Sequence, residues 1–424
     1  MQLEEIYKIY QQFPSIQTDT RKLKKNDLFF ALKGPNFNGN LFVAQALENG
    51  AAFVFADEEI PVFNDRIIYC QNSLKTLQQL AQYHRQQFKI PFIAITGSNG
   101  KTTTKELLHN ALSTSYKTYT TEGNLNNHIG IPLTILKIKQ DAEMAVIEMG
   151  ANHTGEIAGY CEYAMPTHGL ITNIGKAHLE GFGSVENIKK GKGELFDYVA
   201  KHNGIAFVNA DDKAVVELGN KVNNAVYYGE SGRDYSGKII TSDPYAEIQI
   251  NGKVPVIVKT NLAGAYNFFN VMAAFAISKY FNVDDVKIRD AIENYKPSNS
   301  RSQLIKQGNN TIILDAYNAN PGSMKAAIEN FAAMKGSEKI LLLGSMMELG
   351  NDSKKEHEDL IQLIGQRNWK AVVLVGKNFN DLDHKYIKYE NALSAAKWLK
   401  EQHFENTQML IKGSRSMQME KVLE

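Results

Sequence analysis

The segment "IPFIAITGSNGKTTTKELLHNALS" constrains this chain more than any other. An apolar, β-branched run from Phe92 to Thr96 enters a glycine turn, and a helical pattern carrying Leu107, Leu108, Ala111 and Leu112 follows at once. Strand, glycine loop and helix in that order predict an α/β unit whose helix N-terminus offers backbone N–H groups to an anion. The glycine spacing is short. Only Ser98 and Asn99 separate Gly97 from Gly100, and Ile95 stands where the widespread phosphate loop has its first glycine. A tighter turn keeps the donors: N–H groups from Ser98 to Thr102 are expected to wrap the terminal phosphates, Lys101 to offset their charge, and the Thr102 hydroxyl to face magnesium. The plain alternative is a capped strand-to-helix turn, in which a lysine followed by three threonines has little purpose.

A length of 424 residues predicts two or three domains. With a formal net charge of +1, no large nucleic-acid surface is expected. The cysteines, Cys70 and Cys161, have no CxxC spacing, which argues against a disulfide scaffold or zinc site and fits a reducing compartment. The start "MQLEEIYKIYQQF" lacks the pattern of a signal peptide, and no apolar run is long enough for a membrane span, so a cytoplasmic protein is expected.

The first stretch mixes short strands, "DLFFALKG" and "AAFVFAD", with a helical "NLFVAQALENGA", and reads as a small α/β domain. "NSLKTLQQLAQYHRQQF" is an amphipathic helix with Leu74, Leu77, Leu80, Ala81 and His84 on one face. After the glycine loop, "MAVIEMG", "HGLITNIG" and "GIAFVNADD" read as strands whose carboxyl ends gather a ligand. "AEIQINGKVPVIVKT" reads as a hairpin turning at Asn251-Gly252, a small β insertion. From about "KPSNSRSQ" onward, "TIILDAYN", "KILLLGSM", "AVVLVGKN" and "QMLIKGSR" alternate with helical segments in a second doubly wound unit.

Three further residues carry chemistry. Glu148 ends a strand and is the expected carboxylate partner of Thr102 at magnesium, or else a solvated strand end. His178 lies just past another strand end, as a ligand or as a structural hydrogen-bonder. In "SVENIKKGKGELFDYVAK" a helix places Val185, Ile188, Leu195, Phe196 and Val199 in one apolar stripe, with Lys192 inside it. A buried ammonium is costly, so Lys192 either snorkels to water or is uncharged and chemically modified.

At these residues the chain resembles the Mur ligases. "TGSNGKTTT" is similar to that family's short-spaced ATP loop, and "EGNLNNHIGIPLT", "EMGANHTGEI", "NIGKAHLEGFGS", "KGKGELF" and "DAYNANPGSM" match its motifs along the chain. "TDTRKLKKNDLFFALKG" and "KGSRSMQMEKVL" extend the resemblance to both ends. It implies an α/β fold of three domains: a UDP-muramoyl substrate domain over residues 1–85, a central P-loop-type ATP domain with a parallel sheet over 86–298, and a Rossmann-like domain over 299–424. It implies an ATP-dependent amide ligase of peptidoglycan precursor synthesis, and so of cell-wall biogenesis, cell shape and division. The motifs specific to one member imply UDP-N-acetylmuramoyl-tripeptide and D-alanyl-D-alanine as substrates, and a monomer.

Carried over residue by residue, the resemblance gives Gly97, Ser98, Asn99, Gly100, Lys101, Thr102 and Thr103 to ATP, with Asn267 and Asn270 on the adenine side. Arg301, Asp315 and Asn318 reach ATP from the third domain. Two magnesium ions are implied, the first on Thr102 and Glu148, the second on Glu148, His178 and a carbamylated Lys192. Lys101, Glu148, His178 and Lys192 form the catalytic set. Thr20 and Arg21 take the uridine end, Asn126 and Asn127 the peptide region, and Lys412, Ser414 and Arg415 the incoming dipeptide.

Four departures stand out: Tyr266 in place of a histidine, Ser300 in place of a glycine, Ser345 in place of an aspartate, and "FNGN" from Phe37 to Asn40 in place of Asp-Gly-His. Rivals are another Mur-type ligase, a folylpolyglutamate-type ligase, whose loop reads Gly-Lys-Gly-Ser, and a nucleotide-dependent regulator, which would lack Lys192 or Arg301.

Overall fold

The computed structural model describes residues 1–298, 300–336 and 338–424. The expected boundary at residue 299 therefore lies outside the described residues. Two compact units emerge, one of Met1–Ile95, Tyr116–Ala151 and Gly155–Gly169, the other of Thr96–Ser115, Asn152–Thr154 and Leu170–Glu424.

The first unit opens with strands β1 (Ile16–Gln17), β2 (Leu28–Phe30), β3 (Lys33–Gly34), β4 (Phe37–Asn38), β5 (Phe53–Ala56) and β6 (Ile67–Tyr69). Of these, β1-β2-β5-β6 make a parallel sheet and β3-β4 a short antiparallel pair. Leu28, Phe29 and Phe30 are all buried, which is why β2 reads as a continuous apolar run rather than an alternating one. The helix Ser73–Arg85 buries Leu77, Leu80, Ala81 and His84 as its periodicity predicts, while Leu74 is half-buried and Ser73 and Thr76 turn inward. His84 is bonded on both ring nitrogens, with Nδ1 3.0 Å from the Tyr7 hydroxyl and Nε2 2.8 Å from the Ile138 carbonyl.

Strands β7 (Phe92–Thr96), β8 (Thr118–Thr120) and β9 (Met144–Glu148) run parallel, with Ile95 opposite Glu148. They belong to a nine-stranded sheet with β10 (His168–Ile171), β11 (Ile205–Asn209), β12 (Asn224–Gly229), β13 (Tyr235–Thr241), β14 (Tyr245–Ile250) and β15 (Val256–Ala263), in the order β15-β14-β13-β12-β11-β10-β7-β9-β8. The expected hairpin exists, but its turn is longer than Asn251-Gly252: Ile250 pairs with Val256, so the connection runs from 251 to 255. It is not an insertion either. β13 pairs in parallel with β12 and antiparallel with β14, so the hairpin completes the edge of the main sheet. The helix Asn267–Tyr280 is buried along most of its length and packs on the loop's own helix, Lys101–Leu112.

The second unit also holds β16 (Gln303–Gln307), β17 (Asn310–Asp315), β18 (Lys339–Gly344), β19 (Ala371–Val375), β20 (Ile387–Tyr389) and β21 (Gln408–Lys412), ordered β16-β17-β21-β18-β19-β20. Only β16 is antiparallel to its neighbour. Alternate residues of four strands (Ile312 and Leu314, Ile340 and Leu342, Val373 and Val375, Met409 and Ile411) form one core, as a period of two requires.

Buried histidines make stability depend on pH. Burial pushes His168, at the start of β10, down to about 4, and lowers His84 for the same reason. The unfolded chain then takes up the proton first, so the stabilisation is complete above the ordinary histidine value and is lost as pH falls towards 4. Equilibrium unfolding at pH 5 should show about 2 kcal/mol less stability than at pH 7.5 from His168 alone. A His168→Asn variant should have a correspondingly shallower pH slope; an unchanged slope would contradict the assignment.

Candidate functional site

The loop between β7 and its helix is a true turn of glycines. Gly97 has φ +142° and Gly100 φ +80°, backbone that side-chain-bearing residues avoid. Contacts impose the same choice: a Cβ at Gly97 would sit 2.0 Å from Thr172 Oγ1, and one at Gly100 2.3 Å from Asn270 Oδ1. The residues after β10 hold the turn. Ser98 N–H donates to the Asn173 carbonyl and Asn99 N–H to Asn173 Oδ1, each at 3.0 Å, while Thr172 Oγ1 donates to the Asn99 carbonyl at 2.6 Å.

That corrects one expectation. The N–H groups of Ser98 and Asn99 anchor the loop and do not face outward. The first intrahelical bond is Thr104 N–H to Gly100 O at 2.8 Å, so Lys101, Thr102 and Thr103 form the first turn, and the Gly100 cap brings no side-chain acceptor. Lys101 Nζ folds over the loop, 2.7 Å from Gly97 O. Asn267 and Asn270 are buried beneath. Asn270 Oδ1 accepts from Thr104 Oγ1 at 3.1 Å, its Nδ2 donates to Asn267 Oδ1 at 2.9 Å, and Asn267 Nδ2 donates to Ala263 O at 2.8 Å. Both amides support the loop from below.

In the first unit Glu148 is buried at the end of β9. Its N–H donates to Thr121 Oγ1 at 3.0 Å, and its Oε1 accepts from Asn126 Nδ2 at 2.8 Å, so two expected site residues meet directly. Asn127 instead turns its Oδ1 onto the N–H groups of Ile129 and Gly130 and shapes the chain. Thr20 donates to Gln45 Oε1, and Arg21 is exposed and paired with Asp19.

In the second unit Lys192 is 0% exposed, so it does not snorkel. Ile188, Leu195, Phe196 and Val199 are buried with it as expected, whereas Val185, at the helix start, is exposed. Lys192 Nζ lies 5.3 Å from the centre of the Phe182 ring. Glycines flank it because neighbours press close: a Cβ at Gly191 would meet Phe182 at 2.6 Å, and one at Gly193 would meet Leu218 at 2.7 Å. His178 takes φ +56°, and its Nδ1 sits 2.6 Å from Glu348 Oε2. The contact with His178 holds the Glu348 carboxyl below its usual range, and the Lys101 charge adds to this. Nothing in the sequence marked Glu348 beyond its place in "GSMMELG".

No cluster of three or more His, Cys, Asp and Glu side chains shaped for a metal occurs among the described residues. The expected set has only Glu148 and His178 of those types; the rest are a hydroxyl and a lysine. Thr102 and Glu148 each carry oxygen of the hard kind that magnesium prefers. Lys192 fits only if modified, since an ammonium repels a cation and a carbamate presents oxygen.

The C-terminal residues form a linked chain. Lys412 Nζ meets Asp315 Oδ2 at 2.5 Å and Asn318 O at 3.2 Å, Ser302 N–H donates to Asp315 Oδ1 at 3.1 Å, and Tyr266 shares a 3.0 Å hydroxyl contact with Ser302. Lys412 is buried, with its ammonium paired to Asp315. Arg301 sits over Tyr317, with its guanidinium carbon 3.5 Å from the ring centre, and Arg415 approaches the same ring at 6.0 Å. Ser414 Oγ accepts from Met347 N–H at 2.9 Å. The departures are absorbed locally. Ser300 adopts φ +56° where the family has glycine, Ser345 is buried and donates to Val375 O at 3.2 Å, and Asn38 and Asn40 bond to Glu58 and Asp57.

A methyl group at Gly97 should displace the loop from Thr172. Titration calorimetry should show nucleotide affinity reduced by about 10-fold or more in Gly97→Ala, the scale of losing one hydrogen bond to a charged group. Wild-type affinity in that variant would mean the turn does not set the site.

Comparison with known proteins gives three matched segments: the Mur ligase family catalytic domain over residues 12–85, the Mur ligase middle domain over 95–278, and the Mur ligase glutamate ligase domain over 300–420. The UDP-N-acetylmuramoyl-tripeptide–D-alanyl-D-alanine ligase of Bacillus subtilis strain 168 is 34% identical, covering 96% of this chain and 92% of the relative. A crystal structure of MurF from Acinetobacter baumannii superposes with a TM-score of 0.88 at 31% identity, over 96% of this chain and 92% of that one. MurF from Thermotoga maritima, solved in complex with ADP, gives 0.86 at 29% identity, over 96% of each chain.

Proposed function

The chain belongs to the Mur ligase family, and on that premise we propose that it joins D-alanyl-D-alanine to UDP-N-acetylmuramoyl-tripeptide in peptidoglycan precursor synthesis. It is an ATP-dependent ligase that forms a carbon–nitrogen bond. The observation that carries the reading is the glycine turn itself. Its left-handed glycines aim a helix N-terminus, Lys101 and Thr102 at one place, and the ADP-bound relative shares the fold over nearly the whole chain.

The peptide carboxylate attacks the γ-phosphate, giving an acyl phosphate and ADP. The dipeptide amine then attacks the acyl carbon, forming the amide and releasing phosphate. Condensing a carboxylate with an amine requires a better leaving group than oxide, and the phosphoryl group provides it. Lys101 offsets charge on the phosphoryl oxygens, and Thr102 and Thr103 offer first-turn N–H groups. Magnesium would be held by Thr102, Glu148, His178 and a carbamylated Lys192, and it supplies the charge that lets two anions approach. Asn126 fixes Glu148. Asn267 and Asn270 hold the loop, while Arg301, Asp315 and Asn318 serve ATP. Thr20 and Arg21 serve the uridine end; Ser414 and Arg415 serve the dipeptide, with Lys412 acting through its ion pair. The division into 1–85, 86–298 and 299–424, action in the cytoplasm and a monomeric state belong to the same reading. Three separate main sheets support the division.

Two variants test it. Lys101→Ala should keep its fold and lose about 100- to 1,000-fold in kcat, the effect of removing one preorganised charge at a developing oxyanion. Near-normal turnover in that variant would remove the loop from the mechanism. Lys192→Ala should fall by about 100-fold or more, with part of the loss restored by short carboxylates in the buffer, because they return the missing oxygen ligand. A bare ammonium at Lys192 in a magnesium-loaded crystal would sink the carbamate.

A further inference from the structure

We infer that Asn320 is a positioning residue that fixes the polarity of the Asn99 side chain in the phosphate loop, so that an N–H donor and not an oxygen faces the nucleotide phosphates. The inference rests on the nucleotide reading above and goes beyond it in naming what orients the loop.

Asn320 caps the helix Pro321–Ala333. Its Oδ1 accepts from Ser323 N–H at 2.9 Å, and its own N–H donates to Ser323 Oγ at 3.0 Å. Amide oxygen and nitrogen are normally assigned from their partners, and here the partner is decisive. A backbone N–H only donates, so the atom facing Ser323 is the oxygen. Asn320 Nδ2 must then point the other way, and it donates to Asn99 Oδ1 at 2.7 Å across 221 positions of sequence. Asn99 Oδ1 is thereby taken, and its Nδ2 is the remaining end. That nitrogen makes no hydrogen bond to protein among the described residues. It lies between two glycines, with a Cβ at Gly322 or Gly175 falling 3.8 or 4.0 Å from it, so no side chain of theirs covers it. The Asn99 backbone is fixed independently, by Asn173 on its N–H and by Thr172 and Asn173 on its carbonyl. Only the side-chain amide is left to choose a direction, and the helix cap chooses it.

Asn320→Asp separates this role from capping. Aspartate still accepts from Ser323 N–H, so the helix stays capped and the thermal midpoint should stay near wild type. It no longer donates to Asn99, whose amide should rotate to give its nitrogen to the new carboxylate and turn its oxygen outward. ADP affinity, read by calorimetry, should fall by about 10-fold or more, the loss expected for a hydrogen bond to a charged group. Added negative charge can weaken ADP binding by itself, and an Asn99→Ala background separates the two causes. If Asn320 acts through Asn99, Asn320→Asp costs little further affinity once Asn99 is alanine. An equal penalty in both backgrounds would overturn the inference in favour of plain charge repulsion, as would wild-type ADP affinity in a folded Asn320→Asp protein. Failure of the wild-type chain to bind ADP at all would refute the nucleotide reading instead.

Discussion

Close packing of a backbone turn against two side chains is the constraint on which the rest of the site depends. Gly97 runs against Thr172 and Gly100 against Asn270 so tightly that neither position has room for a methyl group. This packing fixes where the helix Lys101–Leu112 begins. Helix geometry then places the first-turn N–H groups, and the Lys101 ammonium lies on the Gly97 carbonyl. Asn173, Asn270 and Asn320 add polar ties from three different segments, each bonded through both its amide oxygen and its amide nitrogen. A phosphate donor held this way does not reorganise when charge develops, and a low reorganisation cost is the main source of electrostatic catalysis.

Buried cations are the second theme. Lys412 is offset by Asp315, which also takes the Ser302 N–H. Removing either partner would leave an uncompensated charge, which costs far more than the pair contributes. Lys192 is fully buried as well, with the Phe182 ring near its Nζ, and its flanking glycines let neighbours close around it. An amine kept in such a place for packing alone would be poorly chosen, since leucine fills the same stripe without a desolvation penalty. The carbamate proposed above would give the position a chemical purpose.

Much of this was legible in the sequence, for physical reasons. The strands of the six-stranded sheet announce themselves because parallel strands are apolar throughout and end in glycine or polar residues, as in Lys339–Gly344 and Gln408–Lys412. The glycine turn is visible because its residues have no other reason to be adjacent. What escaped depends on contacts between distant segments. Asn320 reads locally as a helix cap, and its second bond is to a residue 221 positions away. Glu348 and Tyr317 sit in ordinary surroundings and matter only because His178 and Arg301 arrive beside them. Ser98 and Asn99 looked like phosphate donors because periodicity does not reveal that Asn173 already accepts their N–H groups.

Product mass tests the central claim most directly. Incubated with ATP, UDP-N-acetylmuramoyl-tripeptide and D-alanyl-D-alanine, the protein should convert the tripeptide to a species heavier by one dipeptide less one water, with one ADP and one phosphate formed per amide bond. Omission of the dipeptide should leave an acyl phosphate that hydroxylamine traps. A stable phosphorylated peptide, or ATP hydrolysis indifferent to both peptide substrates, would show a kinase or an ATPase and contradict the account.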